Sequence, residues 1–419
     1  MHILYLHQHF STPEGSTATR SFAFARSLAA RGHRVTLATG RYQGAETGLS
    51  GAFRKGRREG RVASFQVVEF DIPYANAMGI AARGAAFLRY AAAATRLAFR
   101  VKPDLIIASS TPLTVALPAL LAKGLRDIPF IFEMRDPWPE LPRAMGVLPA
   151  PLVPVFDALA NLACRQAAAV VALSDGMAET ARARGADPAR VEVIGNGCDL
   201  DLFGPHIAPW RPPEVAPWEV LALYAGAHGR ANGLGVVVEA ARFLAARGET
   251  RLRILLLGEG AEKTALIQQA AGLPNLTFLP PMPKRDVARL FAGSQIALHI
   301  LADCPAFAEW TAPNKLMDGL AAGRPVISTA PGQAARLLAD GGCGIAVLPG
   351  DAAGLAAALT SLVEDPARRA AMGAAARSLA VRQHDRRLLA ARFAALVEAI
   401  PTAQPALSKP AHFAISGRR

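Results

Sequence analysis

Two doubly wound parallel α/β sheets facing each other are the fold this sequence predicts, and three observations predict it. Short apolar runs alternate with Ala/Leu-rich helical stretches along the chain. The alternation halts after Phe203 at "GPHIAPWRPPEVAPWE", a proline-rich stretch that reads as a linker, and then restarts. The 419 residues are more than one core accommodates and suit two or three domains.

The elements follow in order. "HILYL" opens as a strand, a loop leads to a helix over 18–31 ended by Gly32-His33, and "RVTLATG" is the next strand. "VASFQVVEF", "DLIIASS", "PFIFEM", "AVVALS" and "VEVIGNG" extend the first sheet. "VLALYAGA", a helix over 234–247, "RILLLGEG", a helix near 261–271, "LTFLPP", "IALHIL", "RPVIST" and "GIAVLPG" build the second. In such sheets ligands gather beyond the carboxyl ends of the strands, so chemistry is expected in a cleft between the halves. Residues 401–419 read as a disordered tail.

Composition narrows the class. Apolar residues make up 52% and aromatics only 6%, which suits a helix-rich globular protein with ample core. The four cysteines are scattered without C-x-x-C spacing, so neither a disulfide framework nor a metal site is expected. "MHILYLHQHF" alternates like a strand and lacks the basic leader and long apolar block of a signal peptide. Leu105 to Ala122 carries no charge, but Pro112 and Pro118 break it, and it reads as strand, loop and helix rather than a membrane span. A cytoplasmic location is the expectation. The net charge of +13 is concentrated in "FRKGRREGR" (53–61) and in 83–102, where Phe87, Leu88, Tyr90, Leu97 and Phe99 lie among Arg83, Arg89, Arg96 and Arg100. Such a basic amphipathic helix suits an anionic membrane surface, on the inner face of the plasma membrane; an Arg-rich composition is the bland alternative. No nucleic-acid-binding signature appears, so nucleic acid is not an expected partner.

Four stretches carry candidate chemistry. "YAGAHGRANGLG" places Gly226, Gly229 and Gly233 between a strand and a helix, where glycines admit a diphosphate to a helix start or merely permit packing. Arg230 and His228 add charge there, and Glu259 in "LLLGEG" flanks the same cleft or simply caps a loop. In "APNKLMDGLAAGRPVI", Lys315 and Asp318 lie three apart at a helix start. They form either a clamp for a phosphate and a sugar hydroxyl or a solvated salt bridge. In "FEMRDPWPE", Glu133, Arg135 and Asp136 follow directly on an apolar strand, a costly place for charges that lack partners or a task. Trp138 beyond them suits a sugar face or a core. Gly15 and Ser16 sit in the first strand-to-helix loop and face the cleft or cap the loop. Asp199 and Asp201 resemble a metal-binding D-x-D but lack a third ligand, and a metal is rejected there.

In combination and order, these stretches, with "LAARGHRVTLAT", "VVALSDGMAE" and "VEVIGNGCDLDLF", resemble the retaining nucleotide-sugar glycosyltransferases of family 4, especially the bacterial O-antigen and exopolysaccharide assembly type. The resemblance implies the GT-B architecture: an acceptor-side Rossmann-like domain over 1–203, a nucleotide-sugar-binding one over 204–385, and a helix over 386–400 crossing back to the first. It implies a nucleotide-diphosphate sugar as substrate, no cofactor and no metal requirement. Gly226, Gly229 and Arg230 then lie near the diphosphate, Leu279 to Met282 offer backbone edges to the base, and Pro313, Asn314 and Lys315 meet the phosphates. Asp318 stands where the family has the second glutamate of its E-x7-E motif, which holds the ribose. Trp310 takes the first glutamate's place, with Glu309 beside it. Ala227 and Asn232 replace the arginine and lysine of the glycine loop, so Arg230 or Lys315 must supply the charge. As catalytic roles, Arg230 and Lys315 stabilise the departing diphosphate, while Asp136, held by Arg135, orients the acceptor. The implied reaction is sugar transfer to a glycan or lipid-linked acceptor in cell-surface polysaccharide assembly. The alternatives are a nucleotide-sugar epimerase of the same architecture and a non-catalytic sugar-nucleotide-binding subunit.

Overall fold

The computed structural model describes residues 1–15, 19–75, 77–308, 310 and 314–402. Of the residues anticipated as functional, Ser16 and Pro313 lie outside the described residues, as do Glu309 and the tail from 403.

The first lobe runs β1 (His2–Leu6), α1 (Arg20–Ala30), β2 (Arg34–Tyr42), β3 (Arg57–Val62), β4 (Phe65–Tyr74), α2 (Ile80–Val101) and β5 (Leu105–Ser109). It continues with α3 (Ala116–Arg126), β6 (Phe130–Met134), α4 (Glu140–Ala144), α5 (Val153–Gln166), β7 (Ala169–Ala172), α6 (Asp175–Ala183) and β8 (Val191–Val193). Its sheet has the order β3-β4-β2-β1-β5-β6-β7-β8 and is parallel except for the β3–β4 pair. β1, β5, β6 and β7 are buried throughout, as expected of central strands covered by helices on both faces.

The second lobe runs β9 (Val220–Ala225), α7 (Gly235–Ala246), β10 (Leu252–Leu257), α8 (Lys263–Gln269), β11 (Leu276–Leu279), α9 (Lys284–Gly293) and β12 (Ile296–His299). α10 (Asn314–Ala321), β13 (Val326–Ser328), α11 (Gln333–Asp340), β14 (Gly344–Ala346), α12 (Ala352–Glu364), α13 (Pro366–Gln383) and α14 (Arg386–Ala399) complete it. Its six strands are all parallel, in the order β11-β10-β9-β12-β13-β14. The chain therefore reverses direction across the sheet beside β1 in one lobe and beside β9 in the other. These switch points open crevices at the carboxyl ends of the strands.

α14 returns to the first lobe. Asp385 caps it, and Phe393 packs on Phe24 of α1 with ring centroids 4.7 Å apart. Arg386 at its start is buried and donates to the carbonyls of Asn196 and Gly197, the Thr19 hydroxyl and the Asp199 carboxylate. Asp199 is thereby engaged, and Asp201 pairs with Arg387 at 3.4 Å.

Three expectations change. "VASFQVVEF" is not one strand: the chain turns at Ala63, whose φ is +50°, and forms the β3–β4 hairpin. The basic stretch 53–61 contributes that hairpin's outer strand. There Arg58 pairs with the nearly buried Glu69 at 2.8 Å and its guanidinium lies over the Phe53 ring. In α2 the stripe of Phe87, Tyr90 and Leu97 faces inward and fills the lobe's core, so it is not free for a membrane. The proline-rich stretch after Phe203 packs on the second lobe, where Phe203 and Val215 are buried and the Trp210 N–H donates to the Arg289 carbonyl.

Candidate active site

At the second switch point the glycine loop leaves β9, makes a short turn over 230–232, and enters α7 through Gly233 with φ +57°. It rests on the loop after β12, because the Ala302 N–H donates to the Ala231 carbonyl at 3.1 Å. Lys315, in the first turn of α10, lies across Gly226: a Cβ there would sit 2.0 Å from the lysine Cε. Only glycine leaves that passage open. The Lys315 ammonium donates to Asn232 Oδ1 at 2.6 Å and hovers 5.2 Å from the Tyr224 ring centroid. Burial pulls its pKa down to about 8, Asp318 opposes this, and Lys284 adds to it.

Asp318 is buried on the next turn of α10, but its direct partner is the Lys284 ammonium at the start of α9, not Lys315. The expected pair on one helix is thus replaced by a pair between two helices. The Lys284 N–H also donates to the Gly15 carbonyl of the first lobe at 3.3 Å, and the neighbouring Arg285 pairs with Glu14 at 2.7 Å. Gly226, Asn314, Lys315 and Asp318 therefore lie together in the second lobe, and Lys284, the partner of Asp318, joins them to Gly15 of the first lobe. Gly15 itself is required by packing, since a Cβ would meet Ser11 Oγ at 2.3 Å.

Other anticipated residues are exposed, uncrowded or already partnered. Gly229 has open space where a Cβ would be, so its glycine is not demanded by crowding. Arg230 is exposed. Glu259 is exposed and pairs with Lys263 at 3.2 Å, one helical turn away, which is the loop-capping outcome. The Leu279 carbonyl already accepts from Lys263 Nζ and from the Gly258 N–H, both at 3.2 Å, so its acceptor capacity is used. Met282 borders a recess of about 250 Å³ with Trp210, Asp286 and Arg289. His228 is fully buried with neither ring nitrogen hydrogen-bonded, and burial pulls its pKa down to about 4. A neutral ring cannot add the charge expected of it.

In the first lobe, the Glu133 carboxylate at the end of β6 is completely buried. It accepts from Arg20 Nε at 2.8 Å, the Tyr5 hydroxyl at 3.1 Å and the Ser109 hydroxyl at 2.5 Å. Burial alone would raise its pKa, but Arg20, Arg135 and the Ser109 hydrogen bond hold it below the usual carboxylate range. It is a structural anion. Arg135 donates to His7 Nε2 at 2.5 Å and, through its backbone N–H, to Ser110 Oγ. Since arginine only donates, His7 Nδ1 carries the proton and donates to Ser21 Oγ at 2.8 Å. Burial, then Arg135, hold that imidazole neutral. Asp136 accepts from the Thr111 hydroxyl, so Arg135 does not hold it as expected. Trp138 is half-buried and packs on Phe156 against the core, with centroids 5.5 Å apart. Trp310 crosses between the lobes: its indole N–H donates to Thr180 Oγ1 of α6 at 3.1 Å.

Sequence reasoning missed Lys284 and Arg20, the partners of the buried carboxylates of Asp318 and Glu133. Each lies more than thirty residues from its partner, and nothing in the local pattern marks either. Asn232 was noticed only as a departure from a family pattern, not as the partner of Lys315.

Residues 15–197 match the model of a glycosyl transferase 4-like domain, and residues 219–365 match that of the glycosyl transferases group 1. A D-inositol 3-phosphate glycosyltransferase of Pseudarthrobacter chlorophenolicus is 31% identical over 211 residues, 48% of this chain and 49% of that protein. The chain spans about half the length of the first such curated relatives it matches. Among solved structures, sucrose-phosphate synthase from Thermosynechococcus elongatus superposes with a TM-score of 0.74 at 15% identity, covering 95% of this chain and 98% of that one. Anabaena HepE in complex with UDP-glucose gives 0.66 at 18% identity, covering 95% and 99%. The chain therefore joins a glycosyl transferase 4-like domain and a glycosyl transferases group 1 domain in the GT-B fold of these neighbours.

Proposed function

We propose that the crevice binds a nucleotide-diphosphate sugar against the second lobe and transfers the sugar, with retention, to a glycan or lipid-linked sugar in cell-surface polysaccharide assembly. One observation carries the donor half of this reading. Lys315 is a partly buried cation at a helix start on a switch point, and its partners among the described residues are a neutral amide oxygen and a ring face. A diphosphate oxygen is a better partner than Asn232 Oδ1, so the ammonium can exchange one for the other without leaving its channel over Gly226. As the sugar departs, negative charge grows on the diphosphate, and Lys315 with the first N–H groups of α10 stabilises it. Asp318, paired with Lys284, offers an acceptor to ribose hydroxyls. Arg135 and Asp136 border the opposite wall, where the acceptor is oriented. The UDP-glucose complex of HepE makes a UDP-sugar the first donor to test.

Calorimetry with a panel of nucleotide sugars, followed by donor-consumption assays with and without glycan acceptors, tests the reading. Binding with acceptor-dependent consumption is expected, unchanged by a chelator. Turnover without acceptor would make the protein an epimerase, and binding without any turnover would make it a non-catalytic subunit.

A further inference from the structure

The start of α9 breaks a local rule of its own helix. The first turn of a helix carries the positive end of the backbone dipole and favours carboxylates, yet α9 opens on two cations, Lys284 and Arg285, directly after Pro283. Neither helps the helix that carries it. Each pairs with a carboxylate of another element: Lys284 with Asp318 in α10, and Arg285 with Glu14 of the first lobe at 2.7 Å. A locally unfavourable choice with a distant partner points to a reason outside the helix. The two pairs are not equivalent. Arg285 and Glu14 are both exposed, so their pair contributes little. Lys284 and Asp318 are shielded, with side chains 16% and 7% exposed.

The lysine is fixed on three sides. Its ammonium meets Asp318 Oδ2 and lies 5.2 Å from the centroid of the Phe203 ring, and its backbone N–H donates to the Gly15 carbonyl at 3.3 Å. Phe203 is itself fully buried, edge-on to Phe291 of α9. Asp318 therefore presents a single oxygen: Oδ2 is occupied, and Oδ1 has no hydrogen-bond partner among the described residues. We infer that Lys284 is a positioning residue that makes the donor site select ribonucleotides: by holding Oδ2 it turns Oδ1 of Asp318 to accept from a ribose hydroxyl. The inference rests on the placement of the ribose at Asp318 proposed above and adds how that carboxylate discriminates. The last torsion of an aspartate is broad, so an unheld carboxylate turns to water when a hydroxyl is missing, and a deoxyribose costs it little. A carboxylate held by one oxygen cannot reorient, and a deoxy sugar leaves its other oxygen short of a partner. Lys315 cannot do this in its place, because its ammonium rests on Asn232.

Calorimetry on the full chain tests this, with UDP (or the nucleoside diphosphate that binds tightest) and its 2′-deoxy and 3′-deoxy analogues. Wild type is expected to bind the ribonucleotide about ten- to hundredfold tighter than at least one deoxy analogue. Lys284→Met should bring that ratio to within about threefold, while Lys284→Arg, which still offers Oδ2 a charged donor, should retain most of it. A loosening of the whole site would instead weaken all three nucleotides alike and preserve the ratio. Arg285→Gln breaks the neighbouring pair between the lobes and should leave the ratio as in wild type; a ratio lost there equally would make the start of α9 a mere brace and overturn the inference. Should Lys284→Met lose its urea transition because Asp318 is stranded, Lys284→Met with Asp318→Asn removes both charges and must show the same narrowed ratio. Wild type that binds all three nucleotides equally, or none of them, overturns the inference together with the ribose assignment of Asp318. Wild type that discriminates, beside a Lys284→Met variant that discriminates as strongly, overturns the inference alone.

Discussion

Each lobe buries a carboxylate paired with a cation at the carboxyl ends of its strands, yet the two clusters are built for opposite ends. In the first lobe, Glu133 and Arg20 are both fully buried, and Tyr5 and Ser109 fill the remaining acceptor sites. In the second lobe, Asp318 pairs with Lys284, but Lys315 beside it rests on a neutral asparagine. The first cluster satisfies its carboxylate internally, leaving one buried Arg20 nitrogen, Nη2, without a hydrogen-bond partner among the described residues. The second keeps one cation whose best available partner is weak. A buried charge marks a binding site when its partner can be bettered, not merely because it is buried.

Breaking the closed cluster should give the largest effect. Glu133→Gln strands the Arg20 guanidinium and should cost about 3–5 kcal/mol of stability, read as a lowered urea midpoint. A shift no larger than that of a surface variant would erase the contrast. At the open cluster, Lys315→Met should leave the midpoint nearly unchanged and weaken nucleotide-sugar binding by about 1.5–3 kcal/mol in calorimetry. Wild-type binding should also depend on pH in a definite direction. Lys315 has a pKa of about 8 in the free protein, and the diphosphate raises it by favouring the charged form. Affinity is therefore level below pH 8 and falls as pH rises through it, until the raised pKa of the bound amine is passed; Lys315→Met should flatten that slope. Gly226→Ala comes next: the new methyl must displace the lysine from its channel, and affinity should fall about tenfold with the fold intact. The smallest effects are expected at Arg230→Ala and Glu259→Gln, within about 0.5 kcal/mol for binding or stability, as both groups are exposed. A tenfold loss of affinity at Arg230 would move the diphosphate to the outer side of the glycine loop.

Much of the frame was legible in the residues. Short apolar runs such as "LIIA" and "ILLL" suit buried parallel strands, and the restart after the prolines announces a second sheet. Gly226 was legible as a place of close approach, though not what approaches. The β3–β4 hairpin was not, because its turn is made by Ala63 and Ser64, which carry no turn signature, and its outer strand is mostly charged. Nor was the orientation of α2, where arginines on both sides of the apolar stripe disguise which side faces the sheet.

By itself, then, the chain's pattern determined two wound sheets, a crevice at their strand ends and a family of glycosyl-transferring domains, because periodicity and glycine placement are local properties that neighbouring residues express together. Which charge meets which was decided only by tertiary structure. Lys284 reaches Asp318, Arg20 reaches Glu133, and Lys315 is left with Asn232, through contacts spanning from 34 to 113 residues of chain. The physical reason is that an ion pair is won by distance and desolvation in space, and sequence separation carries no information about either.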